Sequence, residues 1–208
     1  MNKLYNTRIA VKRDAARLGE LHKMEISSGF LSTLSDSFLT VLYENIIEHG
    51  VVYVVETTLS DDEEVVGFIS CVESTKKFYI SFLLHNCIRL LPLVFSEMFS
   101  VRFFSKAIES LKAPFKKSDN DQQNHVELDC PELLSIAVAS EHKRNGLGEI
   151  LLNSLESELR SKNFYHYKVI AGSSLYSANS FYEKNEFKLS ANIVIHKGEV
   201  SNIYIKAL

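Results

Sequence analysis

Apolar and polar residues alternate over Thr7–Lys12 (TRIAVK), then give way after Asp14 to a helical spacing carried by Leu18 and Leu21, which predicts a strand entering a helix. A second helix is signalled by Ser35-Asp36 as N-cap candidates. Phe38, Leu39, Val41, Leu42, Ile46 and Ile47 follow at i, i+3, i+4 spacing, and Gly50 is the stop. Val51–Glu56 and Val65–Glu73 are β-branched runs either side of the acidic turn Ser60-Asp61-Asp62-Glu63, and predict an antiparallel hairpin. Phe78 to Leu111 is apolar at many positions, and Pro92 predicts that it divides into two helical pieces. Ala113–His125 is polar and aperiodic, the pattern of a mobile loop. Val126–Val138 predicts a strand in which Pro131 fits only at a bulge or kink. Gly146–Leu159 is an amphipathic helix, Tyr167–Ala171 a short buried strand and Ser177–Lys184 a helix. Phe187–His196 and Ser201–Ile205 form a closing pair around Lys197-Gly198. The order predicts a mixed α/β fold in one domain, 1–208, with a helical insertion at about 78–125 between the third and fourth strands.

The chain has 208 residues, 46% of them hydrophobic, enough for one sizeable core. With 23 Lys+Arg against 26 Asp+Glu, the net charge of −3 lacks the basic excess of a general nucleic-acid binder, so no nucleic-acid partner is expected. Cys71, Cys87 and Cys130 are an odd count with no CxxC pair and no paired histidine spacing, which disfavours both a disulfide scaffold and a metal. The N-terminus has no apolar signal-type segment, and no run of about 18 uncharged apolar residues occurs anywhere. The expectation is a soluble cytoplasmic protein.

Chemistry concentrates in residues 133–152. A buried strand delivers the short basic loop His142-Lys143-Arg144-Asn145-Gly146-Leu147-Gly148-Glu149 to a helix N-terminus. Free backbone N–H groups and the helix dipole make such a terminus a phosphate site, Lys143 and Arg144 add counter-charge, and Gly146 and Gly148 permit close approach. A lone GxG is weak evidence, because a glycine-eased turn in an α/β protein also produces it. About thirty residues on comes Ser177-Ala178-Asn179-Ser180-Phe181-Tyr182-Glu183-Lys184-Asn185-Glu186-Phe187.

The pairing of V-x(5–7)-[RQ]-x-x-G-x-[GA] with a later A-N-x-F-Y-E-K-x-G-F resembles the GNAT superfamily of acyl-CoA-dependent N-acetyltransferases, over Glu132–Leu189 and more loosely over Thr7–Glu73. Lys143 replaces the motif's Arg or Gln, and Glu186 its last glycine. The resemblance implies acetyl-CoA as acyl donor, no metal, and a sheet whose two central strands splay apart around the pantetheine. Ile136, Ala137 and Val138 would then offer backbone contacts to that arm. Lys143, Arg144, Asn145, Gly146, Leu147, Gly148 and Glu149 would hold the pyrophosphate, and Asn179 would reach the pantetheine or phosphate. It further implies Tyr182 as the acid that protonates the leaving thiolate. Glu132 stands at the strand position where histone acetyltransferases of the superfamily carry a glutamate base, although many members use a water chain instead.

Amine acylation needs a neutral amine. A lysine-like amine near pKa 10.4 lies roughly 3 units above neutrality, so deprotonating it costs about 4–5 kcal/mol. The acceptor itself is read only by analogy. Gly29-Phe30-Leu31-Ser32-x-Leu34 with Phe38-Leu39 and Leu42-Tyr43 resembles a bacterial GNAT subgroup associated with surface saccharides, so the acceptor is a small-molecule amine, an amino sugar among them, or a peptide amine. The rival class is a catalytically silent acyl-CoA-binding or sensor domain. A nucleotide-binding protein is disfavoured because no acidic ribose ligand follows the GxG loop at the required spacing. The apolar insertion has three readings: a pocket wall, a homodimer surface or a membrane-surface helix. Arg89, Arg102 and Lys106 are too few for a polybasic lipid signal, which favours the first two. Of the seven histidines, only His142 lies beside the glycine loop.

Overall fold

The alternating N-terminal segment forms β1 (Tyr5–Ile9), which runs through a 3-10 turn at Lys12–Asp14 into α1 (Ala15–Glu25). The structure, a computed structural model, describes residues 4–26, 31–58, 64–97, 130–196 and 199–208. Asp14 fixes the turn by accepting from the Val11 N–H at 2.7 Å and from the two terminal nitrogens of Arg8 at 2.7 and 3.0 Å. Burial is the largest influence and would raise its pKa, but the Arg8 hydrogen bonds, the Val11 N–H and the charges of Arg8 and Arg13 together hold the carboxyl below its usual range. Arg8 also donates to the buried Glu56, at 2.9 Å from Nε, so one guanidinium neutralises two buried carboxylates. Ser35 caps α2 (Asp36–His49) by accepting from the Phe38 N–H at 3.3 Å, as the N-cap signal predicts.

The hairpin forms from β2 (Val51–Thr57) and β3 (Glu64–Val72), with Val55 opposite Gly67. α3 (Thr75–Glu97) follows, and then β4 (Glu132–Val138), α4 (Leu147–Ser161), β5 (His166–Gly172), α5 (Tyr176–Lys184), β6 (Lys188–His196) and β7 (Glu199–Ala207). The seven strands form one sheet in the order β1-β2-β3-β4-β5-β7-β6, antiparallel throughout except for β4 beside β5. This is the mixed α/β architecture that the sequence pattern predicts.

Two expectations about proline are corrected. α3 does not break at Pro92 but continues as one helix to Glu97. A proline removes a single helical hydrogen bond, and the preceding turns are anchored by the buried Phe78, Phe82 and Leu90. Pro131 sits neither in a bulge nor within the strand: it lies just before β4, and its carbonyl accepts from the Lys168 N–H at 2.9 Å. The expected second helical piece beyond Glu97, the loop Ala113–His125, the strand start at 126–129 and the turn Lys197-Gly198 lie outside the described residues.

The sheet is covered on both faces. Tyr167 donates to Glu156 of α4 at 2.8 Å and Tyr53 approaches Glu158, so Tyr53, Tyr167 and Val169 face α4. On the opposite face the Tyr43 ring of α2 meets Phe68 edge-on at 5.2 Å between ring centres, and its hydroxyl lies 2.7 Å from His22 Nδ1 of α1. α3 packs on α2 through a pair of buried amides: Asn86 Nδ2 donates to Asn45 Oδ1 at 2.9 Å, and Asn45 Nδ2 returns at 3.4 Å. No helix among the described residues is long and apolar enough to cross a membrane.

Candidate active site

β4 and β5 pair only at Glu132↔Lys168 and Leu133↔Val169, although β4 runs on to Val138 and β5 to Gly172. Beyond Leu133 the two strands therefore separate into a fork. A register shift on the β3 side starts the divergence. Ser70 pairs with Ser135 and Cys71 with Leu133, which leaves Leu134 as the extra residue of a β-bulge. Further along, the Ala139 N–H donates to Val66 O at 2.7 Å. Antiparallel alternation then commits the Ala137 backbone to Phe68 of β3 and turns the N–H and C=O of Ile136 and Val138 toward the gap. Of the three residues expected to meet a pantetheine arm, these two present free ladder positions.

The open end of the fork leads to the glycine loop. Gly146 is the N-cap of α4 with φ +76°, and a Cβ placed there would meet nothing within 4 Å. Arg144 is also left-handed, at φ 65°. No side chain caps α4, so its first N–H groups stand uncovered beside an open cradle, the arrangement that suits an anion. Gly148 also serves the packing of the fold. A Cβ there would lie 3.0 Å from the Phe181 ring, so this glycine lets α5 seat against the first turn of α4.

The loop cations divide. Lys143 pairs with Glu25, the last residue of α1, while Arg144 makes no ion pair among the described residues. Glu25 also accepts from the Ser140 N–H at 2.8 Å and its hydroxyl at 2.9 Å, so one carboxylate ties the loop to the end of α1. Burial opposes that charge, but the bonds from Lys143 and Ser140 lower its pKa overall. His142 is pinned to β1: its Nδ1 lies 3.1 Å from the Tyr5 hydroxyl and the rings meet edge-on. No sequence signal marks Glu25 or Tyr5, because their roles depend on contacts across more than a hundred residues.

At the closed end of the fork, Leu133, Val169 and Tyr204 form one row across β4, β5 and β7. The Tyr182 ring lies 6.0 Å from the Tyr204 ring and 5.3 Å from that of Phe187, which puts Tyr182 on the α4 side at the level of the fork. Only 6% of Tyr182 is exposed, its hydroxyl makes no hydrogen bond among the described residues, and burial pushes its pKa up. Glu132 stands on the other face, with Oε2 2.7 Å from the Thr75 hydroxyl and 3.6 Å from Lys168 Nζ. Burial raises its pKa, against the opposing pull of Thr75 and Lys168. Asn179 reaches inward: its amide donates to the carbonyls of Gly172 and Leu175 at 2.9 and 2.8 Å, and its oxygen accepts from Asn202 at 2.9 Å. Its polar atoms are thus spent on fixing the start of α5. No group of three or more His, Cys, Asp or Glu among the described residues could hold a metal ion.

Residues 114–187 match the Acetyltransferase (GNAT) family. No curated protein matches the chain. Among solved structures the fold is similar to the ribosomal-protein-S18-alanine N-acetyltransferase of Escherichia coli, at 12% identity and TM-score 0.59 over 98% of this chain and 94% of that one. It is similar also to an N-acetyltransferase from Staphylococcus aureus Mu50, at 14% identity and TM-score 0.60 over 98% of each chain. A third similar structure is Arabidopsis thaliana NAA60 in complex with acetyl-CoA, at 12% identity and TM-score 0.60, again over 98% of each chain. The match to the GNAT family thus covers residues 114–187, and the likeness of fold to acetyltransferase structures extends over nearly the whole chain.

Proposed function

We propose that the protein transfers an acetyl group from acetyl-CoA to the primary amine of a small molecule or peptide. The observation that carries this reading is the fork beyond Leu133↔Val169, which runs from an open glycine-capped helix terminus to a carboxylate and a phenol on opposite faces of the sheet. From Val138 to Leu134 the gap is about 13 Å long at 3.3 Å per residue. A pantetheine arm is roughly as long as four extended residues, about 14 Å, so phosphates at Gly146 bring the thioester to the closed end. That the complex of the similar NAA60 contains acetyl-CoA supports the same donor here.

Acetyl-CoA supplies the activated acyl group. The uncovered N–H groups at the start of α4 and the Arg144 guanidinium receive its phosphates, and the Ile136 and Val138 backbones hold the arm as an added strand. The Glu132 carboxylate takes a proton from the incoming amine as the N–C bond forms and the C–S bond breaks. A carboxylate with a raised pKa is better matched to that task at neutral pH than an exposed one. Tyr182 gives its proton to the departing thiolate and regains one from solvent. Binding and direct attack in one site make a cysteine nucleophile unnecessary, and the Cys71 thiol is accordingly buried with its pKa pushed up.

The test is to incubate the protein with acetyl-CoA and a panel of amino sugars, small amines and peptide N-termini, and to measure free thiol. Amine-dependent thiol release is expected. Acetyl-CoA binding without release for any amine would point instead to a silent sensor domain.

A further inference from the structure

We propose that the inserted helix α3 belongs to the proton-transfer apparatus, with Thr75 as the residue that positions the Glu132 carboxylate. This rests on the reading of Glu132 as the base. Thr75 is the first residue of α3, and its hydroxyl donates to Glu132 Oε2 at 2.7 Å. Lys168 Nζ approaches the same oxygen at 3.6 Å. Both partners approach Oε2. An anchored oxygen fixes the plane of the carboxylate, in which the second oxygen takes the amine proton.

The anchor can work only if α3 has a single seating, and the α2–α3 contact provides it. The reciprocal Asn45–Asn86 amides, Arg89 Nη1 on Glu44 at 3.0 Å, and Phe82 edge-on to Phe38 at 6.0 Å define one register. A buried amide pair penalises any slipped alternative, because sliding by one residue leaves polar groups unpaired. The groups that bear on Glu132 come from three elements. Thr75 and Tyr79 belong to α3, Lys168 to β5, and the buried Cys71 to β3, and Glu132 in turn raises the pKa values of both Tyr79 and Cys71. The sequence motifs stop short of α3, so no motif would have assigned it this work.

The experiment compares wild type with T75V, T75A, T75S and E132Q. The first readout is the pH profile of thiol release from acetyl-CoA with the amine panel. The second is a carboxyl 13C NMR titration of Glu132, which needs no acceptor. Loss of the hydroxyl removes a bond that holds the Glu132 pKa down, so in T75V and T75A the acidic limb and the NMR titration should both move to higher pH. kcat should fall roughly tenfold, the value of one hydrogen bond to a charged group, with KM for acetyl-CoA unchanged. T75S should restore both. An E132Q enzyme with a wild-type acidic limb would overturn the base reading. If E132Q abolishes the limb while T75V and T75A leave the limb and the Glu132 titration in place, only the role of Thr75 falls.

Discussion

Replacing Tyr182 by phenylalanine separates fold from chemistry, because the ring and the hydroxyl have different partners. The ring packs on Phe181, Phe187 and Tyr204, and all three contacts survive the change. The hydroxyl is buried with no hydrogen bond among the described residues, and a buried hydroxyl without a partner costs about 1–3 kcal/mol. Its removal should therefore leave stability unchanged or raise it by about 1 kcal/mol, equivalent to a Tm increase of roughly 2–4 °C for a chain of this size. If the hydroxyl is the thiolate's acid, kcat should fall by about 10²–10⁴, or roughly 3–5 kcal/mol of barrier. Acetyl-CoA affinity should be unaltered. Burial pushes the phenol pKa up, so the wild-type rate should show no fall from Tyr182 ionisation up to about pH 10. Single-turnover acetyl transfer with calorimetric unfolding reads both quantities. An unchanged single-turnover rate would make Tyr182 a packing residue, and a large loss of stability would show that the hydroxyl has a structural partner.

The two loop glycines should fail in different ways. In Gly148→Leu the side chain meets Phe181, so α5 is displaced and thermal stability falls by a few kcal/mol even without ligand. Gly146→Val fills an open cradle at positive φ, so it should cost about 1–2 kcal/mol of fold and abolish the stabilisation that excess acetyl-CoA gives wild type, about 2.7 kcal/mol at a hundredfold excess over Kd. Equal acetyl-CoA shifts in wild type and Gly146→Val would remove the loop from the binding site. Glu186→Gly should stabilise the protein by about 0.5–1 kcal/mol in denaturant titrations, since Glu186 holds φ 67° where glycine would be unstrained; a destabilised variant would mean that the glutamate side chain compensates for its backbone.

Local signals were legible in the chain because the physics behind them is local. The Ser35 cap, the β-branched hairpin and the strand-to-helix step into Gly146 each depend on a few consecutive residues, and each is found in place. Pro92 misled because proline's local penalty of about 3 kcal/mol was outweighed by the packing of α3 on α2, which periodicity does not reveal. Gly148 shows a second limit: a glycine is silent about what approaches it, and here a Cβ would meet the Phe181 ring. Glu25, Thr75 and Tyr5 were invisible because each meets its partner through tertiary structure, at separations of 57 to 137 residues.

The latch of Glu25 and Tyr5 on the glycine loop also bears on how the chain folds. The partners lie 115 and 137 residues apart, so closing them carries the loop entropy of most of the molecule, and contacts of that range form late in folding. The loop gains its final shape only after β1 and α1 have docked on a strand made much later in synthesis. A nascent chain therefore has α1 and α2 well before it has the finished glycine loop. A ligand that recognises the finished loop then draws on the stability of the whole molecule, so its affinity measures complete folding.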